Sequence, residues 1–213
     1  YRIVDEGPNT SHIAAIDVRL GRDSAYRNHG FTTGGGLVRN DIVATLNGEG
    51  ADATLNGLYL TGGRQHVDNH IRVRHAAPHC TSHQLYKGVL DDRSRAVFNG
   101  RIIVDPGAQK TDAKQSNRNL LLSETALVHS NPQLEIFADD VRCTHGSTIG
   151  RLDEDAIFYL RSRGIDRMTA ESLLTFAFAS EVVDRVRLEP VRSRLREVLL
   201  GRLPGSDLIR EAL

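Results

Sequence analysis

Tryptophan is absent from this 213-residue chain, methionine occurs once and cysteine twice, and neither sign of charge is in excess. Each shortage excludes something. Lys+Arg and Asp+Glu both number 27, a formal net charge of +0, so the basic surplus of a dedicated nucleic-acid binder is missing. Two cysteines, Cys80 and Cys143, do not make a disulfide framework. They read as reduced thiols of a cytoplasmic protein. No apolar run approaches the roughly 20 residues of a membrane-spanning helix, and no signal or transit segment is visible. The chain opens on Tyr1 rather than Met, which reads as a segment of a longer polypeptide. Hydrophobic residues at 39% and charged residues at 25% suit a folded domain, long enough to bury a core without staples.

Glycine and asparagine are plentiful, but unevenly placed. Sixteen of the 19 glycines and all ten asparagines lie in residues 1–152. Both tolerate left-handed backbone and punctuate strands, so this part predicts many short strands and residues 153–213 predict helices. Period-two alternation supports the strands: in Ile71-Arg72-Val73-Arg74 the apolar side chains face one way and the arginines the other. Leu134-Glu135-Ile136-Phe137 and Val141-Arg142-Cys143 alternate likewise. Further strands are expected at 13–20, 42–46, 54–60, 84–90, 95–98, 101–104 and 125–128. Turns are expected at Asn47-Gly48, Gly62-Gly63, Asp91-Asp92, Asn99-Gly100, Pro106-Gly107 and Asn131-Pro132. No amphipathic helix interrupts the run, which argues against parallel strands joined by crossover helices. Thr45-Leu46-Asn47-Gly48 echoes Thr54-Leu55-Asn56-Gly57. Stacked solenoid coils would produce such echoes, and chance repetition of a common turn would too. A sandwich fits the same pattern.

Three helices are expected after the break. Asp153 caps the first, with Glu154 and Asp155 in its opening turn and Gly164 as its stop. Thr169 caps the second, which runs through Val186. Its apolar residues, Leu173, Leu174, Phe176, Phe178, Val182 and Val183 among them, cover more than one face. Pro190 opens the third.

Two groupings of reactive side chains merit attention. His66, His70, His75, His79, Cys80 and His83 are dense enough to suggest a metal site. A strand would turn neighbours to opposite faces, and no metalloprotease spacing is present, so surface and turn histidines are expected. In Cys143-Thr144-His145-Gly146, Cys143 and His145 share one face of a strand. Both can ligate iron, but an iron–sulfur cluster needs four protein ligands, more than this chain supplies from two cysteines. No Gly-x-Ser-x-Gly elbow and no Gly-Lys-Ser/Thr phosphate loop occurs.

The string from Asn131 to Leu152, with Cys143-Thr144-His145-Gly146 and Gly150-Arg151 inside it, resembles the SufB/SufD family of the SUF iron–sulfur cluster assembly system. Ile157-Phe158-Tyr159-Leu160-Arg161-Ser162-Arg163-Gly164-Ile165 continues the likeness, and Gln84-Leu85-Tyr86-Lys87-Gly88 and Lys114-Gln115-Ser116-Asn117-Arg118-Asn119 add to it. The arrangement is SufD-like. SufB-like chains carry His-Glu at the Cys-x-His-Gly segment, and a scaffold cysteine where Ser123 stands here. The resemblance implies a right-handed parallel β-helix over residues 1–152 and a C-terminal helical subdomain over 153–213. It implies a non-catalytic cytoplasmic subunit that pairs with a SufB-like chain, or with a second copy of itself, and docks a SufC-like ABC-type ATPase. His145, with Cys143 as a weaker neighbour, matches the family position at the cluster-assembly interface and would be a transient ligand. Docking of the ATPase would fall to Phe158, Tyr159, Leu160, Arg161, Arg163, Phe176, Phe178 and Val182. No cofactor is expected to be held stably by this chain alone; an iron–sulfur cluster would be shared with SufB, and a flavin could enter the complex. Neither nucleic acid nor membrane is an expected partner.

Two other classes compete. A carbohydrate-active β-helix enzyme would need carboxylates clustered along a strand stack and exposed aromatics, yet the chain has no Trp and 5% aromatics. A His-rich metal-binding module would use residues 66–83.

Overall fold

The computed structural model describes residues 1–206 and 209–210. Eleven strands precede three helices among them. The strands are β1 (Arg2–Val4), β2 (Ser11–Leu20), β3 (Ala25–Thr32), β4 (Leu37–Leu46), β5 (Asp52–Thr61), β6 (His66–His75), β7 (Thr81–Leu90), β8 (Arg95–Val104), β9 (Asp112–Leu121), β10 (Leu127–Ile136) and β11 (Arg142–Gly150). The helices are α1 (Glu154–Ser162), α2 (Arg167–Val183) and α3 (Glu189–Leu200). Odd-numbered strands form a six-stranded sheet in the order β1-β3-β5-β7-β9-β11, and even-numbered strands a five-stranded one in the order β10-β8-β6-β4-β2. Pairing is parallel throughout. Each pair of successive strands therefore makes one coil of a flattened β-solenoid. The coil itself supplies the crossover, so a parallel sheet needs no connecting helices.

The corners explain the glycine-rich half. The chain must reverse between sheets in a few residues, and a left-handed residue recurs where it does. Asp23, Gly50, His79 and Lys110 take it at one corner, and Gly35, Gly63 and Asp92 at the other. Backbone bonds stack one corner on the next: Asp23 N–H donates to Glu49 O at 2.9 Å and His79 N–H to Gln109 O at 2.9 Å.

Between the sheets lies the core. Ile42, Ala44, Leu46, Val67, Ile71, Val73, Leu55, Tyr59 and Phe98 are buried there, while Arg72 and Arg74 face water. A second cluster joins the outer face of the six-stranded sheet to the helices, with Leu58, Leu60, Leu85 and Val89 against Phe176, Ala179, Val182, Val183, Leu195 and Leu199. This is why the ends of β5 and β7 are buried on both faces and why α2 is apolar over more than one face.

Some local expectations change. Asn99-Gly100 is not a turn: the segments 95–98 and 101–104 are one strand, β8, in which Gly100 gives room to the side chains of Phe98 and Gln115. Asn131-Pro132 lies within β10, where proline is tolerated because β10 ends its sheet and its open side lacks a ladder. The tetrad echo has no structural meaning. Thr45 pairs with Arg74 and Thr54 with His83, on different sheets. The second helix starts at Arg167, capped by Asp166, whose carboxylate accepts from the Thr169 backbone N–H at 3.0 Å and its hydroxyl at 2.7 Å. Among the described residues no helix is long and apolar enough to cross a membrane.

Candidate functional site at the open end of the solenoid

β11 pairs only with β9 and β10 only with β8, so the last coil has two open strand edges. Register fixes what each residue of β11 continues. Cys143, His145, Ser147 and Ile149 lie over Ala113, Gln115, Asn117 and Asn119, all buried. This row is thus the inward-facing one, but no coil follows β11, and His145 is exposed. The same end carries exposed Leu127, Ile136, Phe137 and Ile149. An imidazole set among apolar side chains and unpaired strand edges is equipped to meet a partner's side chains at a seam.

Beneath it the solenoid interior is polar. Ser147 Oγ donates to Ser130 Oγ and Ser130 Oγ to Asn117 Oδ1, each at 2.7 Å. Asn119 Nδ2 donates to Asn117 Oδ1 at 2.7 Å, Asn117 Nδ2 to Tyr59 Oη at 3.2 Å, and Tyr59 Oη to Asn119 Oδ1. Chained hydrogen bonds of this kind hold a buried polar interior rigid and fix the coil that carries His145. Their single period-two spacing, Gln115, Asn117, Asn119, is visible in sequence; their partners from other coils are not.

Cys143 sits deeper, packed against Ile102, Val104, Ala108, Ala113 and Ala138. Burial is the main cause pushing its thiol up, partly offset by a backbone hydrogen bond from Ala113. The thiolate, the form that binds iron, is disfavoured at neutral pH. Cys80 is buried elsewhere, donating to Gly48 O at 3.2 Å. Ser123 supports a corner, its hydroxyl donating to Asp92 O.

The His66–His83 run disperses. His66 and His70 lie on the outer face of β6, and His70 Nε2 is 2.8 Å from Asp68 Oδ1. His75 is buried inward, 2.8 Å from Ser82 Oγ. His79 is a corner residue and His83 lies on the other sheet. Among the described residues no three His, Cys, Asp or Glu side chains gather as a metal site.

The helical residues divide. Phe158 and Tyr159 are 72% and 57% exposed, and Arg163 lies over the Tyr159 ring at 5.1 Å. Arg161 and Arg163 are exposed and Leu160 half-buried. Phe176 and Val182 are buried against the sheet and offer no surface, because β5 and β7 need an apolar cover. Phe178 is partly buried under Lys87, whose Nζ lies 4.3 Å from its ring. Lys87, part of the family-like segment 84–88, has a role that the sequence does not reveal. It is buried on β7, donates to Phe178 O at 2.9 Å and pairs with Glu181. A lysine in the apolar half of a strand was the available signal.

Comparison with known proteins follows the geometry. The chain is 39% identical to the iron–sulfur cluster assembly protein SufD of Escherichia coli over 96% of its own length and 48% of that protein's. It is 39% identical to an iron–sulfur cluster assembly SufBD family protein of Synechocystis over 87% of its length and 41% of that protein's. To SufD of Bacillus subtilis it is 30% identical, over 89% and 44%. The chain spans about half the length of these relatives or less. Residues 1–178 match the family described as SUF system FeS cluster assembly, SufBD core domain. With a β-solenoid whose final coil holds Cys143 and His145 in register, and with that match over most of its length, the chain belongs to the SufBD core family of the SUF iron–sulfur cluster assembly system.

Proposed function

We propose that this chain serves as a SufD-like, non-catalytic subunit of a cytoplasmic SUF assembly scaffold. It pairs with a SufB-like chain, or with a second copy of itself, through the open edges of β10 and β11. The observation that carries the reading is the exposure of His145 on the inward row of an unfinished solenoid. An imidazole there can offer nitrogen to a nascent cluster while thiolates come from across the seam. The cluster is cargo shared with the partner, since two widely separated cysteines cannot supply four ligands. Docking of a SufC-like ATPase falls to α1, where Phe158 and Tyr159 stand exposed beside Arg161 and Arg163.

The test is co-expression with SufB-like and SufC-like partners. His145→Ala should leave the complex the same size and reduce assembled iron and sulfide roughly tenfold or more, the scale of losing one ligand interaction. Unchanged iron and sulfide would remove His145 from the mechanism.

A further inference from the structure

At the corner between the ends of β5 and β7 and the starts of β6 and β8, a cleft of about 440 Å³ is lined by Arg64, His66, Arg93, Arg95 and Thr125. Stacking of coils builds it. Arg64 follows left-handed Gly63 and Arg93 follows left-handed Asp92 at equivalent places in successive coils, and Arg93 N–H donates to Gly63 O at 2.9 Å. His66 and Arg95 are register partners one step along. The result is a two-by-two array of cationic and imidazole side chains. Coils lie about 4.8 Å apart, and residues two apart on a strand about 7 Å.

Among the described residues the charge in this array is not neutralised. Among the described residues no carboxylate lies within 4 Å of the guanidinium of Arg64, Arg93 or Arg95. The nearby carboxylates are turned to the backbone: Asp92 Oδ2 accepts from Gly63 N–H at 2.8 Å and Asp91 Oδ1 from Asp92 N–H at 2.7 Å. A second arginine-lined hollow on the outer face of the five-stranded sheet makes the contrast. There Arg39 pairs with Asp41 and Asp68, and Arg101 with Glu135. Like charges stacked on adjacent strands repel, so the corner array stores a preference for an anion.

We propose that this corner cleft binds a compact polyanion of the oligophosphate class. Three guanidinium forks suit bidentate contact with phosphate oxygens; Thr125 lines the same hollow, its hydroxyl donating to Asp92 O. No Phe, Tyr, Trp or aliphatic side chain lines it, so the phosphate chain and not a base is the part recognised. An extended polyanion or an acidic protein surface is disfavoured, because Asp91, Asp92 and Glu124 flank the corner and would meet it. The net charge of +0 gives no long-range attraction for such a surface either. Neither His145 nor Cys143 lines this site, and it does not depend on the assembly reading.

Inorganic tripolyphosphate titrated calorimetrically into the chain at about 0.1–0.15 M salt, where exposed charges are screened beyond roughly 10 Å, tests it. The unsubstituted chain should bind saturably with a stoichiometry of one. R93Q/R95Q should weaken binding at least tenfold, while R72Q, in the neutralised hollow, should leave it unchanged. R93K/R95K, which keeps charge but loses the fork, should fall between and guards against a folding defect. Equal weakening by R72Q, unchanged affinity in R93Q/R95Q, or binding of an acidic peptide in place of tripolyphosphate would each overturn the proposal.

Discussion

His75 shows how one buried side chain links the fold to pH. It lies between Leu46 and Val104 in adjacent coils, each wholly buried, with Ser82 Oγ as its one polar partner among the described residues. Burial lowers its pKa from 6.5 to about 4. Between those values the unfolded chain binds a proton that the native chain refuses. Stability is therefore complete above the unfolded pKa and is lost as pH falls toward the folded one, by up to about 3 kcal/mol. His29, also lowered mainly by burial, adds loss of the same sign. Urea unfolding at pH 7 and pH 4.5 should show a smaller acid loss for His75→Gln than for the unsubstituted chain; an identical loss would refute this assignment. Gly88 makes a second residue-scale case. A Cβ there would overlap the Tyr59 ring and Asn119 Oδ1, inside the polar interior. Gly88→Ala should cost about 1–3 kcal/mol, read as a lower thermal midpoint, whereas Gly146→Ala, with open space around it, should not.

At the scale of elements, the join between α2 and β7 combines apolar cover with one ion pair. Leu85 and Val89 meet Phe176, Val182 and Val183, and Lys87 in the same strand reaches Glu181 and Phe178 O. The Lys87 hydrogen bond is the main reason the Glu181 carboxyl is held below the usual carboxylate range. Lys87 is nearly enclosed while Glu181 keeps 39% of its side-chain surface, so solvent screens the pair from one side. Glu181→Gln leaves the ammonium buried without its counter-charge and should cost about 1–2 kcal/mol, less than a fully buried pair would. Lys87→Met should be close to neutral, because it removes the desolvated charge as well as its attraction. Denaturant midpoints of the two variants distinguish this from a purely apolar join, for which the order would reverse.

For the whole molecule, the last coil of the solenoid and the helices divide the proposed interfaces between them. The last coil leaves strand edges and an apolar rim around His145, and α1 holds Phe158 and Tyr159 away from the sheet core. If α1 receives the ATPase as proposed, Phe158→Glu with Tyr159→Glu should abolish co-purification with a SufC-like partner. Stability should stay within about 0.5 kcal/mol, as for exposed positions generally. Retained co-purification would move the docking surface elsewhere.

Sequence alone determined the class of structure. Alternation in Ile71–Arg74, glycine and asparagine concentrated in residues 1–152, the cap at Asp153 and Pro190 in the first turn of α3 are local signals, and the strands and helices follow from them. The string around Cys143 and His145 carried a resemblance to the family as well, because the order of residues along a chain is legible without knowledge of contacts. Tertiary structure alone decided what each signal is for. Gly100 and Pro132 are turn formers by composition, but one yields space to Phe98 and Gln115 and the other sits on an open edge. Phe176 and Phe158 look equally apolar, yet only Phe158 remains in water, since covering the sheet is a long-range event. The arginine array at the corner was illegible for the same reason: Arg64 and Arg93 become neighbours only when one coil is laid on the next.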